Sequence, residues 1–477
     1  MDSRNLINGE WVIPEGTTKD VWNPANMTGK VGTLHCSGPD HVKHAVDAAR
    51  LAFKDWSRRT GVGRADFLYK ISSLLETHRK ELAKLSSSEV GKPLHEMLGE
   101  VTRGINILRY YAGEGMREIG DVIPASQKNV LQYSKRVPLG VVGVITPWNF
   151  PVAIPIWKIA PALICGNTIV WKPAENASLT ATRLVEIFVE AGLPAGVVNL
   201  VIGKGSVIGN TLLEEEGVKA VSFTGSTSTG QWIASACAKR NIKFQTEMGG
   251  KNVAVILADA DLSKTIPAIV SGAYSSAGQK CTATSRIIVE DAIYEDVKRE
   301  LSRAVSTLKT GDPFDSANYL GPVASRKQFE TVSKYVEMAR QGAIVAEGTI
   351  TANPNQGYFI APLLAEGFGV DHPLIQEEVF GPVAALIRVH SFEEAVEACN
   401  NTIFGLTASI FTSNLQNGLR FLDEAEAGMV RVNLETAGVE YQAPFGGMKM
   451  SSSHTREQGT AALQFYTQVK TCAISYE

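Results

Sequence analysis

The sequence predicts an α/β protein with two Rossmann-type parallel-sheet domains, because short apolar runs alternate with helical stretches along most of its length. The apolar runs lack the polar alternation of half-exposed strands, which is typical of parallel strands covered on both faces. At 477 residues the chain exceeds the size at which a single core usually stops growing, so we expect at least two domains. The predicted strands are 139–145, 168–171, 197–202, 220–223, 253–257 and 287–289, and the clearest helices are 178–191, 227–238 and 262–276.

These strand and helix signals fall into two series, one before and one after Gly249. In doubly wound folds ligands bind beyond the carboxyl ends of the strands, so we expect the functional site between the two units. The segments 121–136 and 462–474 belong to neither series. Within them, residues 132–135 and 465–469 alternate like strands, and each could pair with another subunit.

Composition and charge argue against several classes of function. The formal net charge of −3 and the pI of about 6.3 give no reason to expect nucleic acid or an anionic membrane as a partner. The six cysteines form no CxxC pair and no metal-ligand spacing is present, so we expect no metal and a reducing cytoplasmic location. The N-terminal residues show no signal-peptide pattern. The most apolar stretch, 150–171, contains three prolines and Lys158, which favours a buried helix followed by a strand.

Cys281 and Glu247 are the strongest candidates for chemistry. Cys281 follows Ser-Ser-Ala-Gly-Gln-Lys, and Glu247 begins Glu-Met-Gly-Gly-Lys-Asn, so a thiol and a carboxylate both lie among glycines and small residues. A cysteine thiolate is the best nucleophile among the side chains, and a glutamate can activate water when its environment moves its pKa towards neutral pH. Taken alone, a buried cysteine is more often a small hydrophobic residue than a nucleophile.

Asn149 lies in a rigid turn after the strand 139–145, between Pro147 and Pro151. Its side-chain amide could donate a hydrogen bond to a developing oxyanion, as such groups do in acyl transfer. The alternative is a turn asparagine that bonds only its own backbone, and this segment alone favours neither interpretation.

Polar residues at strand ends indicate where a nucleotide would bind. Lys172 and Glu175 follow the strand 168–171, and a carboxylate there can accept both ribose hydroxyls and so favour NAD. The alternative is a solvated ion pair in a loop. Glu378 and Phe380 precede a Gly-Pro turn, where they could contact a ribose and a nicotinamide or simply end a strand.

Two glycine turns are candidates for phosphate binding. The turn 203–209 has the spacing GxGxxxG rather than the dinucleotide fingerprint GxGxxG, so Gly205 and Gly209 are weak candidates. Gly225 and Ser226 open a predicted helix, where backbone N–H groups and hydroxyls suit a pyrophosphate. Each turn could equally be an ordinary turn before a helix.

Taken in chain order, these segments resemble the aldehyde dehydrogenase superfamily. The ordered set is TPWNFP (146–151), WKPAE (171–175), FTGST (223–227), EMGGKN (247–252), GQKC (278–281), EEVFGP (377–382) and PFGG (444–447). Each motif is weak by itself, whereas the ordered set is very specific. The resemblance implies an aldehyde dehydrogenase-like fold with an NAD(P)-binding domain (1–120 and 137–248), a catalytic domain (249–443) and a small β oligomerisation arm for homodimers or homotetramers (121–136 and 458–477).

The resemblance also implies roles for individual residues. Cys281 would be the nucleophile, Glu247 the base that activates water, and Asn149 a donor to the oxyanion. Lys158 and Glu457 would form the proton route near the base. The cofactor would be NAD, with NADP possible, and the implied cofactor-binding residues are Ile145, Thr146, Pro147, Trp148, Lys172, Glu175, Gly205, Gly209, Phe223, Thr224, Gly225, Ser226, Glu378 and Phe380.

The segment around Cys281 and the tail SSSHTREQG (451–459) resemble the α-ketoglutarate semialdehyde (2,5-dioxopentanoate) dehydrogenases within the superfamily. Many other members have a shorter, glycine-containing tail. The expected reaction is oxidation of a semialdehyde acid to a carboxylic acid through a cysteine thioester. Succinate semialdehyde, or a broad range of aliphatic and aromatic aldehydes, is the alternative substrate.

Arg103 bears on the choice of substrate. The predicted helix 100–111 resembles the wall of the family's substrate tunnel, and a guanidinium at its mouth could bind a distal carboxylate in a bidentate pair. Phe150 and Trp157 would line the same tunnel, and the alternative for Trp157 is a residue of the core. The alternative for Arg103 is a surface arginine paired with Glu100.

Two other functions fit the same fold. A CoA-acylating dehydrogenase would transfer the acyl group to a thiol and would not need a base, so the segment at Glu247 argues against it. A non-catalytic structural protein of the crystallin type would not need Cys281, Glu247 and Asn149 together.

Overall fold

The computed structural model describes residues 1–117 and 120–476, and it has the α/β architecture that the sequence predicts. Glu118, Ile119 and Glu477 fall within the predicted NAD(P)-binding domain and arm, and they lie outside the described residues. The strands are β1 (Asn5–Ile7), β2 (Glu10–Val12), β3 (Thr18–Asn23), β4 (Asn26–His35), β5 (Val122–Ile123), β6 (Val130–Pro138), β7 (Val141–Ile145), β8 (Thr168–Lys172), β9 (Val198–Leu200), β10 (Val218–Thr224), β11 (Lys243–Glu247), β12 (Asn252–Ile256), β13 (Thr284–Glu290), β14 (Lys309–Thr310), β15 (Ala343–Glu347), β16 (Thr349–Ile350), β17 (Leu363–Glu366), β18 (Val383–Val389), β19 (Phe404–Gly405), β20 (Thr407–Phe411), β21 (Met429–Val432), β22 (Met448–Lys449) and β23 (Thr467–Ser475).

The helices lie between these strands, and the predicted ones begin and end within a few residues of their expected bounds. They are α1 (Pro39–Trp56), α2 (Gly61–Thr77), α3 (Arg79–Val90), α4 (Leu94–Glu114), α5 (Ala153–Ile164), α6 (Ser178–Glu190), α7 (Asn210–Glu214), α8 (Thr227–Lys239), α9 (Leu262–Tyr274), α10 (Tyr294–Ser306), α11 (Arg326–Ala339), α12 (Pro373–Gln376), α13 (Phe392–Asn400), α14 (Leu415–Glu424) and α15 (Ala461–Phe465).

The first large sheet has the strand order β11-β10-β7-β8-β9-β1-β2. The strands from β11 to β9 are parallel, and β1 and β2 add an antiparallel edge. The carboxyl ends of the parallel strands meet at one edge of the sheet, as expected for a ligand site. The segments 146–149, 172–175, 224–226 and 247–249 leave the sheet there.

The second large sheet has the order β15-β17-β18-β13-β12-β20-β21, and only β15 is antiparallel to its neighbour. Every strand of this sheet follows Gly249, and every strand of the first precedes it. Cys281 lies just before β13 and Glu378 just before β18, so this sheet turns the amino ends of its strands towards the site. The candidate site residues therefore follow strands of the first sheet but precede strands of the second.

Successive residues of the central strands enter different hydrophobic cores, which explains their continuous apolar sequence. In the first sheet, Val142, Val144 and Ile169 belong to one core, whereas Val141 and Val221 belong to another on the opposite face. Full burial of a side chain of this kind contributes roughly 1.5–3 kcal/mol. The sheet is thus stabilised by a hydrophobic core on each face, and these cores fix the positions of the strand ends from which the site loops leave.

The apolar stretch 150–171 forms a buried helix followed by a strand, as predicted. α5 contains Pro161 and the fully buried Lys158, and β8 begins at Thr168. No helix in the described part of the chain combines the length and the apolar composition needed to cross a membrane.

The arm consists of β5, β6 and β23 in an antiparallel sheet with the order β23-β6-β5. β23 and β6 pair along their whole length, from Thr467 opposite Pro138 to Ser475 opposite Val130. On its other edge, β6 pairs with β5 at Gln132 and Tyr133 only. The prediction that both segments could pair with another subunit therefore stays a prediction. Within the described residues, β23 and β5 are the edge strands of this sheet.

Candidate active site

Cys281 lines a cavity of about 240 Å³ between the two large sheets. Loops after β7, β10 and β11 meet loops before β13 and β18 at this cavity. The other residues that line it are Pro147, Trp148, Asn149, Thr224, Gly225, Ser226, Met248, Gly249, Gln328, Thr331, Glu378, Val379 and Phe380.

The loop that leads to Cys281 has an unusual backbone. Ser276, Ala277 and Gly278 have φ angles of 56°, 53° and 67°. The left-handed conformation costs roughly 1–2 kcal/mol for each residue other than glycine. A Cβ atom on Gly278 would lie 2.2 Å from the carbonyl oxygen of Gly381, so the loop packs too closely for a larger residue. Glu96, on α4, holds this shape by accepting hydrogen bonds from the Ser276 backbone N–H at 2.9 Å and from its hydroxyl.

Asn149 contacts the same loop. Its Nδ2 atom donates a hydrogen bond of 3.0 Å to the carbonyl oxygen of Gln279. Its Oδ1 atom is buried and has no hydrogen-bond partner within the described residues. Asn149 therefore does not bond only its own backbone, and it lines the cavity together with Cys281.

The Cys281 thiol is a weak acid in the protein alone. Burial, followed by the charges of Glu378, Glu247 and Glu457, raises the pKa of this thiol to about 12. The thiol is consequently protonated at neutral pH. A positive charge brought into the cavity would favour the thiolate, which is the nucleophilic form.

Glu247 ends β11 and is buried. Its Oε2 atom accepts a hydrogen bond of 2.5 Å from the Ser452 hydroxyl, and its Oε1 atom has no partner within the described residues. Burial, and then the charge of Glu457, raises the pKa of Glu247 well above that of an exposed glutamate. A carboxyl group with a raised pKa is suited to accept a proton near neutral pH.

Lys158 and Glu457 form a buried ion pair behind Glu247. The Lys158 Nζ atom also donates a hydrogen bond of 3.0 Å to Ser222, and Glu457 Oε2 has no partner within the described residues. Charged groups this deeply buried are costly unless they are paired. The pair and Glu247 thus form one buried cluster of ionisable groups, in which the charges of Glu457 and Lys158 act on the pKa of Glu247.

Glu378 reaches the cavity from the second sheet. Its Oε1 atom accepts a hydrogen bond of 3.1 Å from the Gly250 N–H. Burial raises the pKa of Glu378 to about 7, opposed by that hydrogen bond and by the charge of Lys251. A Cβ atom on Gly249 would lie 2.3 Å from Glu378 Oε2, which explains the glycine there. Phe380, with φ 53°, packs its ring edge-on to Trp148 at 5.6 Å between ring centroids.

Lys172 and Glu175 lie at the end of β8, but they do not pair with each other. The Lys172 Nζ atom donates to the Pro173 carbonyl at 2.9 Å, and burial lowers the pKa of Lys172 to about 8 against the charge of Glu175. Glu175 instead pairs with Lys19 at 2.8 Å. Glu175 thus forms an ion pair with a partner that the sequence did not indicate, and its contact with a ribose stays a prediction.

The glycine turns differ in their position. Gly225 and Ser226 lie at the start of α8 and line the cavity with Thr224. A Cβ atom on Gly225 would lie 2.5 Å from the Phe223 ring, so Phe223 supports the turn from below. Gly205, whose Cβ atom would lie 3.8 Å from Lys172 Cε, belongs to a separate helical turn that ends at Gly209. Ile145 and Thr146, at the end of β7, are buried beside the cavity.

A second cavity, of about 350 Å³, contains Arg103 and Phe150. The Arg103 Nη2 atom donates to Gln458 Oε1 at 3.2 Å, and its Nε atom is buried without a partner within the described residues. Arg103 is not paired with Glu100, because Glu100 forms a buried ion pair of 2.7 Å with Lys92. The remaining lining residues are Lys92, Glu96, Gly99, Glu100, Thr102, Asn106 and Tyr441.

Trp157 belongs to the hydrophobic core, and the prediction that it lines the substrate tunnel has no support from either cavity. It packs on Phe445 with 5.5 Å between ring centroids, and it lines neither of the two spaces. Its Nε1 atom is buried without a partner in the described part of the chain.

Several site residues were not indicated by the sequence. Gln328 lines the first cavity and donates through Nε2 to the Phe380 carbonyl at 2.8 Å. Ser452 bonds Glu247, and Gln458 bonds Arg103. No local pattern marks a single glutamine or serine in this way, because the contacts join segments distant in sequence.

A thiol in a cleft between two parallel-sheet units, beside an asparagine amide, is the site of an enzyme class that uses a covalent cysteine intermediate. The buried carboxyl group of Glu247 is not among the residues that line this cleft. Residues 11–472 match the aldehyde dehydrogenase family, and the chain belongs to that family. It is an aldehyde dehydrogenase with a catalytic cysteine, as the sequence predicts.

Individual relatives are similar over almost their whole length. The chain is 50% identical to the α-ketoglutaric semialdehyde dehydrogenase of Bacillus subtilis (strain 168), covering 98% of this chain and 97% of the relative. It is 39% identical to the α-ketoglutarate semialdehyde dehydrogenase of Haloferax volcanii, with 99% of both chains covered. The NAD⁺ complex of an aldehyde dehydrogenase from Bacillus cereus has a TM-score of 0.96 at 36% identity, covering 100% of this chain and 97% of the other.

Proposed function

We propose that this aldehyde dehydrogenase oxidises α-ketoglutarate semialdehyde to the dicarboxylic acid, with NAD as the cofactor. The observation that carries the proposal is the Arg103 guanidinium in the second cavity, whose Nε atom has no hydrogen-bond partner within the described residues. The names of the two relatives in Bacillus subtilis and Haloferax volcanii support the same substrate.

Arg103 has the properties that a carboxylate clamp requires. Burial lowers the pKa of Arg103, opposed by the charges of Glu440 and Glu100, but a guanidinium remains charged throughout the physiological range. Arginine binds carboxylates through two parallel hydrogen bonds, which fix orientation as well as affinity. Nη2 is held by Gln458, which leaves Nε and the remaining N–H groups for the substrate. Phe150, in the same cavity, would contact the carbon chain.

The chemistry follows from the groups around the first cavity. The Cys281 thiolate attacks the aldehyde carbon, and the Asn149 amide and the Cys281 backbone N–H stabilise the oxyanion. NAD, when bound, supplies the acceptor for the hydride that leaves this carbon. The acyl group then remains on sulfur as a thioester. Glu247 takes a proton from water, the water oxygen bonds to the acyl carbon, and the carbon–sulfur bond breaks to release the acid.

The residues around the first cavity fit a dinucleotide. The closely packed glycines Gly225 and Gly249 allow the backbone to approach a ligand, and Ser226 lies at the start of α8, where a pyrophosphate is favoured. Glu378 Oε2 and the ring of Phe380 would contact the nicotinamide ribose and the nicotinamide. Glu175 would accept the adenosine ribose hydroxyls and disfavour the 2′-phosphate of NADP.

Lys158 and Glu457 would serve as the route by which the proton leaves Glu247. Their ion pair is buried beneath Glu247, and Glu457 raises the pKa of that residue. A proton held by Glu247 would therefore have a second carboxyl group to move towards.

The arm would join copies of the chain into a homodimer or homotetramer. β23 is an edge strand with an exposed side chain at Val469 and at Ile474. Edge strands of this kind invite pairing with another chain unless they are covered. A second copy of the chain is the partner that would cover it.

The substrate is tested by comparing kcat/KM for α-ketoglutarate semialdehyde, succinate semialdehyde and pentanal, each with NAD and NADP. We expect α-ketoglutarate semialdehyde with NAD to be the best combination. Arg103→Met should lower kcat/KM for the semialdehyde acids about 10- to 100-fold, since a hydrogen-bonded charge contributes about 1.5–3 kcal/mol.

Arg109→Met is the matched control, because Arg109 lies on the same helix but pairs with Glu76 at the surface. It should leave the kcat/KM values unchanged. If the wild-type enzyme preferred pentanal, or if Arg103→Met affected pentanal and the semialdehyde acids equally, the proposed substrate would be wrong.

A further inference from the structure

Ser452 is joined to the end of β11 by backbone contacts. It pairs with Glu247 in an isolated antiparallel bridge. On either side, the Met248 N–H donates to the Ser451 carbonyl at 2.8 Å, and the Ser453 N–H donates to the Thr246 carbonyl at 2.9 Å. The Ser453 hydroxyl also accepts the Thr246 N–H at 2.9 Å. The two segments therefore hold each other in register.

The Ser452 hydroxyl has a fixed orientation because it accepts one hydrogen bond and donates another. Its oxygen accepts the Gly447 N–H at 2.6 Å, and it contacts Glu247 Oε2 at 2.5 Å. A hydroxyl carries a single proton, and a backbone N–H cannot accept one, so the proton lies on the bond to Glu247. The hydroxyl is thus a donor aimed at one carboxyl oxygen.

The other groups around Glu247 act on it as charges. The charges of Glu457, Lys158 and Arg456 shift the pKa of Glu247, and the charge of Glu247 in turn raises the pKa of Cys281. Within the described residues, the side-chain hydrogen bond to this carboxyl group comes from Ser452 alone. Oε1 has no such bond, and it lies 3.1 Å from the position that a Cβ atom on Gly446 would take.

We infer that Ser452 is a positioning residue for the base, which holds Oε2 of Glu247 so that Oε1 is the oxygen that takes the proton from water. The inference rests on the proposed function of Glu247 and deepens it. In the hydrolytic step, the water proton bonds to Oε1, the water oxygen bonds to the acyl carbon, and the electron pair of the broken carbon–sulfur bond returns to Cys281.

The Ser452 hydroxyl also affects the protonation of Glu247. Burial and Glu457 raise the pKa of Glu247, and the Ser452 hydrogen bond lowers it. Because the bond favours the ionised carboxylate, its removal raises the pKa further and reduces the ionised fraction at neutral pH. A variant without the Ser452 hydroxyl should therefore lose most of its deacylation rate at low pH, and the difference from wild type should diminish as the pH rises.

The test is a pre-steady-state comparison of wild type, Ser452→Ala, Ser452→Thr and Ser453→Ala between pH 6 and pH 9.5, using α-ketoglutarate semialdehyde and NAD. Ser452→Ala should keep a full burst of NADH but release acid about tenfold more slowly at pH 7, as expected for a lost charge-assisted hydrogen bond. The rate should recover as the pH rises. Ser452→Thr, which keeps the hydroxyl, should restore the wild-type profile.

Ser453→Ala is the matched control, because it removes a hydroxyl from the same segment without a contact to the carboxyl group. The burst amplitude counts active sites, so partial misfolding does not affect the rate per site. The inference is overturned if Ser452→Ala leaves the deacylation profile unchanged, or if Ser453→Ala shifts it equally. Full turnover in Glu247→Gln would instead overturn the proposed role of the base itself.

Discussion

Asn149 Nδ2 donates a hydrogen bond of 3.0 Å to the carbonyl oxygen of Gln279, two residues before Cys281. The bond connects the loop after β7 to the loop before β13, and so it joins the two large sheets at the nucleophile. The other N–H of the same amide nitrogen is the one expected to stabilise the oxyanion. Asn149 therefore lies against the loop that leads to Cys281.

Asn149→Asp tests the donor directly, because it keeps the size of the side chain and replaces the amide N–H donor with a carboxyl oxygen. Removal of one oxyanion donor typically costs about 10²–10³ in rate. We expect a loss of that size in the single-turnover rate of NADH formation. A rate close to that of wild type would show that Asn149 does not bind the oxyanion.

Glu247→Gln separates the two halves of the reaction. The amide cannot take a proton from water, so deacylation should slow by at least 10² while the first turnover of NADH remains fast, since general-base catalysis typically contributes 10²–10⁴. Cys281→Ala should abolish both phases. Stopped-flow NADH absorbance measures them together, and steady-state turnover in Glu247→Gln equal to that of wild type would contradict the assignment.

The acidity of Cys281 can be measured by alkylation with iodoacetamide in the absence of cofactor. Because its pKa is raised to about 12, the rate of modification should rise about tenfold for each pH unit between 7 and 9, following the thiolate fraction. Glu378→Gln removes a negative charge that disfavours the thiolate, so alkylation should become faster. Mass spectrometry distinguishes Cys281 from the other cysteines, and a rate that is constant above pH 7 would mean that the thiol is already ionised.

Glu175 should determine the choice between NAD and NADP. Replacement by serine removes the charge that repels a 2′-phosphate and leaves Lys172 and Lys19 nearby to attract it. We expect the ratio of kcat/KM for NADP to that for NAD to increase at least tenfold, about 1.4 kcal/mol. Lys43→Ala, at an exposed pair with Asp40 on α1, is a charge control that should leave the ratio unchanged.

The fold was predictable where one local pattern decides the outcome. The apolar run at 168–171 cannot be half-exposed, and it forms β8 in the centre of the first sheet. Cys281 and Glu247 were predictable because glycines and small residues surround them in recognisable motifs. These signals reside within a few neighbouring residues.

The remaining features depend on contacts between distant segments. Lys19 meets Glu175 across 156 positions, and Ser452 meets Glu247 across 205, so no local pattern could indicate either pair. The partner of β6 within the chain could not be predicted for the same reason. Alternation at β6 shows that one face is covered, but it does not show that the pairing strand is β23 of the same chain.

The strained backbone at Ser276 has a consequence for how this enzyme can be redesigned. Its left-handed conformation is held by Glu96, which lies on the same helix as Arg103. Substitutions that move this helix to admit a different aldehyde would also release the loop that presents Cys281. A change in substrate range would therefore also change the position of Cys281. Variants selected for a new substrate should carry compensating changes near Ser276.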